Sequence, residues 1–177
     1  TTSDSSDCDD TNAAIHPGAS EVSGDGFDNN CTNDLPVVSS VTVAPTSAGT
    51  DDILVATVAA SDPDGDAVTL TYAWKIGGTT VLLGQGETNL DGASYFSRGD
   101  SVTVGVSPHD GTDSGLEVLS STVVIANSAP SAPTVSIQPT APREGVDDFT
   151  CTLDVASTDA DSDTVSYTVD WAVNGAT

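Results

Sequence analysis

Apolar and polar residues alternate most regularly over 68–76, where Val68, Leu70, Tyr72, Trp74 and Ile76 interleave with Thr69, Thr71, Ala73 and Lys75. Period two over nine residues predicts a half-buried strand with its aromatic side on a core. Val102, Val104 and Val106 repeat the pattern, and Pro108-His109-Asp110-Gly111 closes it with a turn. Further strands are predicted at 37–43, 53–60, 80–83 and 116–125. Thr, Ser and Val dominate between the Gly/Asp turns, which suits strands and disfavours helices. The expected fold class is all-β, an antiparallel sandwich of about seven short strands.

Parts of this pattern return. Gly49-Thr50-Asp51-Asp52-Ile53 reappears as Gly145-Val146-Asp147-Asp148-Phe149, Ser61-Asp62-Pro63-Asp64-Gly65-Asp66 as Thr158-Asp159-Ala160-Asp161-Ser162-Asp163, and the strand ending in Trp74 as one ending in Trp171. The offset is about one immunoglobulin-like sandwich. The expected organisation is therefore a loop-rich module at 1–35, a complete immunoglobulin-like sandwich at 36–126, a proline-stiffened linker at 127–133 and the first half of a second sandwich at 134–177. That half is expected to hold three strands, ending at Trp171-Ala172-Val173-Asn174-Gly175. Cys151 falls on its second strand, where such domains carry half of an intersheet disulfide, so its partner is expected on a later strand beyond Thr177. The natural polypeptide is expected to continue; the alternative is that another chain completes the sandwich.

Charge narrows the function. The 177 residues carry 27 acidic and 3 basic side chains, a formal net charge of -24, which excludes nucleic acid and anionic membranes as partners. No apolar run approaches the ~20 residues of a membrane span, so membrane insertion by this segment is not expected. Of the acidic residues 23 are Asp and four are Glu, a bias that favours turns and short-reach ligation of calcium over solubility alone. Catalysis finds little support. His16 and His109 lie far apart, each beside a proline, and no nucleophile, zinc or phosphate-loop motif is present. A non-enzyme is expected.

The densest chemistry is Asp7-Cys8-Asp9-Asp10-Thr11-Asn12, then Pro17-Gly18-Ala19-Ser20-Glu21, then Asp25-Gly26-Phe27-Asp28-Asn29-Asn30-Cys31. Cys8 and Cys31 bracket a segment whose main apolar groups are Ile15, Val22 and Phe27. A disulfide between them would contribute about 3 kcal/mol by loop closure. Carboxylates this dense repel one another unless a cation holds them, and oxygen ligands with Gly26 at a sharp turn favour a hard ion of calcium type.

These residues resemble the metal-binding repeat named after the copper-binding protein MopE, over about residues 4–34, a repeat found in long secreted bacterial proteins. The resemblance implies Asp7, Asp9, Asp10, Glu21, Asp25, Asp28 and Asn30 as ligands, to which Asp34 is added at the end of the segment. The acidic turns that often precede the repeat are reduced here to Ser3-Asp4-Ser5-Ser6. The family name suggests copper. This copy offers one imidazole, His16, no Met, and cysteines placed for a disulfide, whereas copper prefers nitrogen or sulfur. Calcium is the expected cofactor and copper the alternative.

A second acidic loop, Asp62, Asp64 and Asp66, with its echo Asp159, Asp161 and Asp163, precedes an alternating strand that ends in Trp. This resembles the PKD-like and other immunoglobulin-like repeats of bacterial surface proteins. Carboxylates at alternate positions of a tight loop suit calcium, and they equally suit a turn in which Asp caps its own backbone. Together these features predict a structural segment of an extracellular or cell-surface bacterial protein, a stalk, adhesin or fibre stiffened by calcium. Its partners would be neighbouring repeats of the same polypeptide, and identical chains if it assembles into a fibre. A copper-binding surface protein and a non-catalytic spacer or carbohydrate-binding region of a secreted enzyme are the alternatives.

Overall fold

The computed structural model describes residues 7–173, so the Ser3–Ser6 stretch and the Asn174-Gly175 end of the expected third strand of the second sandwich lie outside the described residues. The chain divides into two compact units between Ala126 and Asn127.

The first unit contains β1 (Val37–Ala44), β2 (Ile53–Ser61), β3 (Thr69–Ile76), β4 (Thr79–Gln85), β5 (Asn89–Asp91), a one-turn helix α1 (Gly92–Tyr95), β6 (Ser101–His109), β7 (Val118–Leu119) and β8 (Val123–Val124). One sheet runs β1-β2-β5 and the other β4-β3-β6-β7, with β8 also on β6, and every pairing is antiparallel. Three strands against five, with a helical turn at the β5–β6 corner, make an immunoglobulin-like sandwich. Trp74, Val102, Val104 and Val106 line one inner face and Val38, Leu54, Ala56 and Leu90 the other, all buried. Trp74 satisfies its indole N–H on the carbonyl of Glu87 at 2.8 Å, as a buried Trp must.

The single strand expected over 116–125 is two short ones. Gly105 pairs with Leu119 and Val102 with Val123, so three steps along β6 face four along the partner, and one extra residue bulges out. Ser120 still pairs with Val104, donating its N–H to the Val104 carbonyl at 2.9 Å, so the extra residue lies between Ser120 and Val123. The Ser120 hydroxyl accepts the Val104 N–H at 3.0 Å and donates to the Ser121 carbonyl at 2.9 Å.

Register places three segments at one end of this sandwich. Val37 at the start of β1 pairs with Ser61 at the end of β2, and Thr69 at the start of β3 pairs with His109 at the end of β6. Residues 7–35, which enter β1, therefore meet the Asp62–Asp66 loop and the turn after His109.

The second unit holds an antiparallel pair, β9 (Thr134–Gln138) and β10 (Thr150–Val155). Cys151 is a free thiol on β10, opposite Ile137. Residues 165–173 form no named strand, contrary to expectation. In the first unit the equivalent strand is held between β4 and β6, and the described residues of the second unit contain no counterpart of either. Alternation without a neighbouring ladder leaves backbone groups unpaired and does not make a strand. Trp171 stays 48 % exposed, its ring 6.3 Å from that of Phe149.

Candidate metal centre

The segment before β1 has almost no core: Ile15 is buried, while Val22 and Phe27 are more than half exposed. It is held by the Cys8–Cys31 disulfide, with Cα atoms 5.7 Å apart, and by short polar side chains that bond their own backbone two residues on. Asp9 Oδ1 accepts the Thr11 N–H at 2.9 Å and its hydroxyl at 2.6 Å, Asn12 Oδ1 the Ala14 N–H at 3.1 Å, Asp25 Oδ1 the Phe27 N–H at 2.9 Å, and Asn30 Oδ1 the Thr32 N–H at 2.8 Å. This is why Asp and Asn crowd here, since a longer side chain cannot close the same turn. The Thr11 hydroxyl, with the neighbouring N–H groups, holds the Asp9 carboxyl below the usual carboxylate range.

Glu21 behaves differently. Its Oε2 reaches across the module to accept the N–H groups of Asn29 at 2.9 Å and Asn30 at 3.3 Å, and its Oε1 accepts the Val22 N–H at 3.1 Å. These bonds lock the carboxylate beside Asp28, whose Oδ1 accepts the Thr32 N–H at 3.1 Å.

From the sandwich, the loop between β2 and β3 supplies the third group. Asp62 Oδ1 accepts the N–H groups of Asp64 at 2.9 Å and Asp66 at 3.3 Å, which fixes the loop. Asp64 Oδ2 accepts the N–H of Asp34 at 2.6 Å. Carboxylate oxygens of Glu21, Asp28 and Asp64 then lie within 4.8 Å of one another. Asp64 is 9 % exposed and Asp62 4 %, and one oxygen of each, Asp64 Oδ1 and Asp62 Oδ2, is buried without a hydrogen-bond partner. Burial pushes the Asp64 carboxyl above its ordinary value, and the charges of Asp28, Asp34 and Glu21 push it the same way, against the Asp34 N–H, which lowers it. Buried carboxylates are ordinarily paired, hydrogen-bonded or metal-bound.

The two loops touch through glycine. Gly65 and Gly26 both have φ in the left-handed region, at +86° and +83°, and a Cβ on Gly65 would sit 2.8 Å from the Gly26 Cα. Close approach therefore requires that Gly65 lack a side chain. Beside this contact, the Asn33 amide donates to Asp110 Oδ2 at 3.2 Å and to Asp113 Oδ2 at 3.3 Å. The Asp110 carboxylate is already held by the N–H groups of Asp113 and Thr112, which keep it below the usual range.

Of the residues singled out in the sequence, Glu21, Asp28 and Asp64 converge, and Asp62 and Asp34 support them. Asp9, Asp25 and Asn30 instead close turns of the module, Asp7 Oδ1 accepts the Asp9 N–H at 3.1 Å, and Asp10 and Asp66 are exposed. The sequence presented the module and the Asp62–Asp66 loop as two separate candidate sets; the fold brings carboxylates from both to one place. Asn33, Gly65 and the Asp34 amide carry no ligand signature, and only the fold gives them a role. The second loop repeats the geometry of the first: Asp159 Oδ1 accepts the N–H groups of Asp161 at 2.9 Å and Asp163 at 3.0 Å, and Asp161 Oδ2 accepts the Ser128 N–H at 2.6 Å. The histidines face carbonyl oxygens, His16 Nδ1 that of Pro17 at 3.1 Å and His109 Nδ1 that of Asp113 at 2.6 Å.

Three carboxylates, with only oxygen donors between them, fit a hard cation better than a nitrogen- or sulfur-seeking one. Residues 7–35 match the family described as "Putative metal-binding motif", of the Cu-binding MopE type. No curated protein and no solved structure matches the chain significantly.

Proposed function

We propose that this chain is a structural segment of a secreted bacterial surface protein, a stalk, adhesin or extracellular fibre, in which calcium rigidifies the module at residues 7–35. The observation that carries the reading is the convergence of Glu21, Asp28 and Asp64 within 4.8 Å, the span that one cation with metal–oxygen distances of ~2.3–2.6 Å bridges. The cation would offset the mutual repulsion of the three groups, and the remaining negative charge would keep the surface soluble. The Cys8–Cys31 disulfide suits an oxidising compartment, and no helix among the described residues is long and apolar enough to cross a membrane. Copper is disfavoured by the donor set, because His16 does not belong to the cluster. The role is mechanical and non-catalytic, with neighbouring domains of the same polypeptide as partners.

Metal analysis of the purified protein, with thermal melts before and after chelation, tests this reading. Bound calcium is expected, and at free calcium about 100-fold above Kd it stabilises the folded chain by about 2.7 kcal/mol. Bound copper, or no metal and no change on chelation, overturns it.

A further inference from the structure

We infer that the cation site is shared between two modules: Asp64 of the sandwich is a ligand on a par with Glu21 and Asp28, so the ion fastens residues 7–35 to the end of the sandwich. The inference rests on the proposed binding of calcium and adds where the ion acts. The matching motif supplies two of the three converging carboxylates and ends at residue 35; the third comes from the β2–β3 loop. Asp64 is more than nine-tenths buried, and its Oδ1 has no partner. A carboxylate so placed, facing two others, is costly unless a ligand completes it. Its other oxygen already holds the Asp34 N–H, so the loop is oriented for the task.

The surrounding contacts are those of a dock that closes on an ion. The two backbones meet glycine to glycine at Gly65 and Gly26, and Asn33 ties the module to the turn after β6. With ligands divided between the two faces, the site is complete only when the module is docked. Calcium affinity and docking must then strengthen each other by the same factor.

The test uses the full chain. Calcium binding is measured by titration calorimetry, and docking by amide hydrogen exchange with and without calcium, for wild type, Glu21→Gln, Asp64→Asn, Gly65→Ala and Gly26→Ala. Exchange at β3 and β6 reports whether the sandwich is intact. Asp64→Asn is expected to weaken calcium binding about tenfold or more, as loss of a charged ligand does, and to abolish calcium-dependent protection of residues 7–35. Gly65→Ala is expected to weaken calcium as well, although every ligand remains. Gly26→Ala places its Cβ in open space at a similar φ, so it shares the backbone strain without the clash and should bind more tightly than Gly65→Ala. If Asp64→Asn leaves the sandwich unfolded, the glycine pair decides. Wild-type affinity in Asp64→Asn and Gly65→Ala, with loss in Glu21→Gln, would place the ion wholly inside the module, overturning the shared site and leaving the proposed function standing. No calcium uptake by wild type would instead remove the proposed function itself.

Discussion

Asp64 is a buried carboxylate whose cost depends on what stands beside it. Burial and three neighbouring carboxylates raise its pKa. A carboxyl with a raised folded-state value favours folding when protonated, so the cost of its charge is fully present above that value and fades as acid protonates it. At neutral pH without a cation the charge is destabilising; calcium bound as proposed would reverse the sign. Asp64→Asn should therefore raise the melting temperature in chelator and reduce the rise that calcium produces. Scanning calorimetry of both proteins in both conditions checks this crossing, and a variant destabilised equally in each would refute it. Asp64 was legible in the sequence as one of three alternating carboxylates. Its meeting with Glu21 and Asp28 was not, because no local pattern says which loops a fold brings together, and the Asx turns that claim Asp9, Asp25 and Asn30 use the same residue types as ligands do.

Among the elements, the pattern located edge and interior strands alike: β1 and β4, each with one neighbour, fall where it put them, as do β2, β3 and β6. β3 and β6 follow Trp74 and the Val102–Val106 series because both lie inside a sheet, where one face is buried and the other is not. The same alternation at Val165–Val173 produces no strand, since a ladder requires partners as well as pattern. The break between β7 and β8 was hidden for a related reason: the extra residue between Ser120 and Val123 appears only on counting against β6, which no single strand reveals. The core should behave as a packed sandwich core. Leu54 on β2 is fully buried, and Leu54→Ala should cost about 2–5 kcal/mol by lost burial and a cavity. Leu116 is 85 % exposed, and Leu116→Ala should stay within about 0.5 kcal/mol. Urea denaturation of the two variants measures the contrast, and equal losses would contradict the placement of Leu54 in the packed core.

For the molecule as a whole, a formal net charge of -24 means that any cation stabilises the folded chain to some degree, and a calcium effect alone does not establish a site. Ionic strength separates the two. Diffuse repulsion among exposed carboxylates is screened by sodium chloride, whose Debye length falls from about 30 Å at 0.01 M to about 3 Å at 1 M. Melting temperature in chelator should therefore climb with salt as the general repulsion is removed. The Glu21–Asp28–Asp64 cluster includes a side chain shielded from solvent, and screening reaches such groups much less. The increment from a saturating amount of calcium should accordingly shrink only in part between low and high salt, and it should saturate at one stoichiometric ion for this cluster. Asp64→Asn should lose that salt-resistant part while its response to sodium chloride stays like that of wild type, because one charge among so many barely alters the surrounding field. A calcium increment that vanishes in 1 M sodium chloride would mean that the ion merely condenses on an acidic surface. The dock between the module and the sandwich would then depend on the Asp34–Asp64 and Asn33 hydrogen bonds and the Gly65–Gly26 contact.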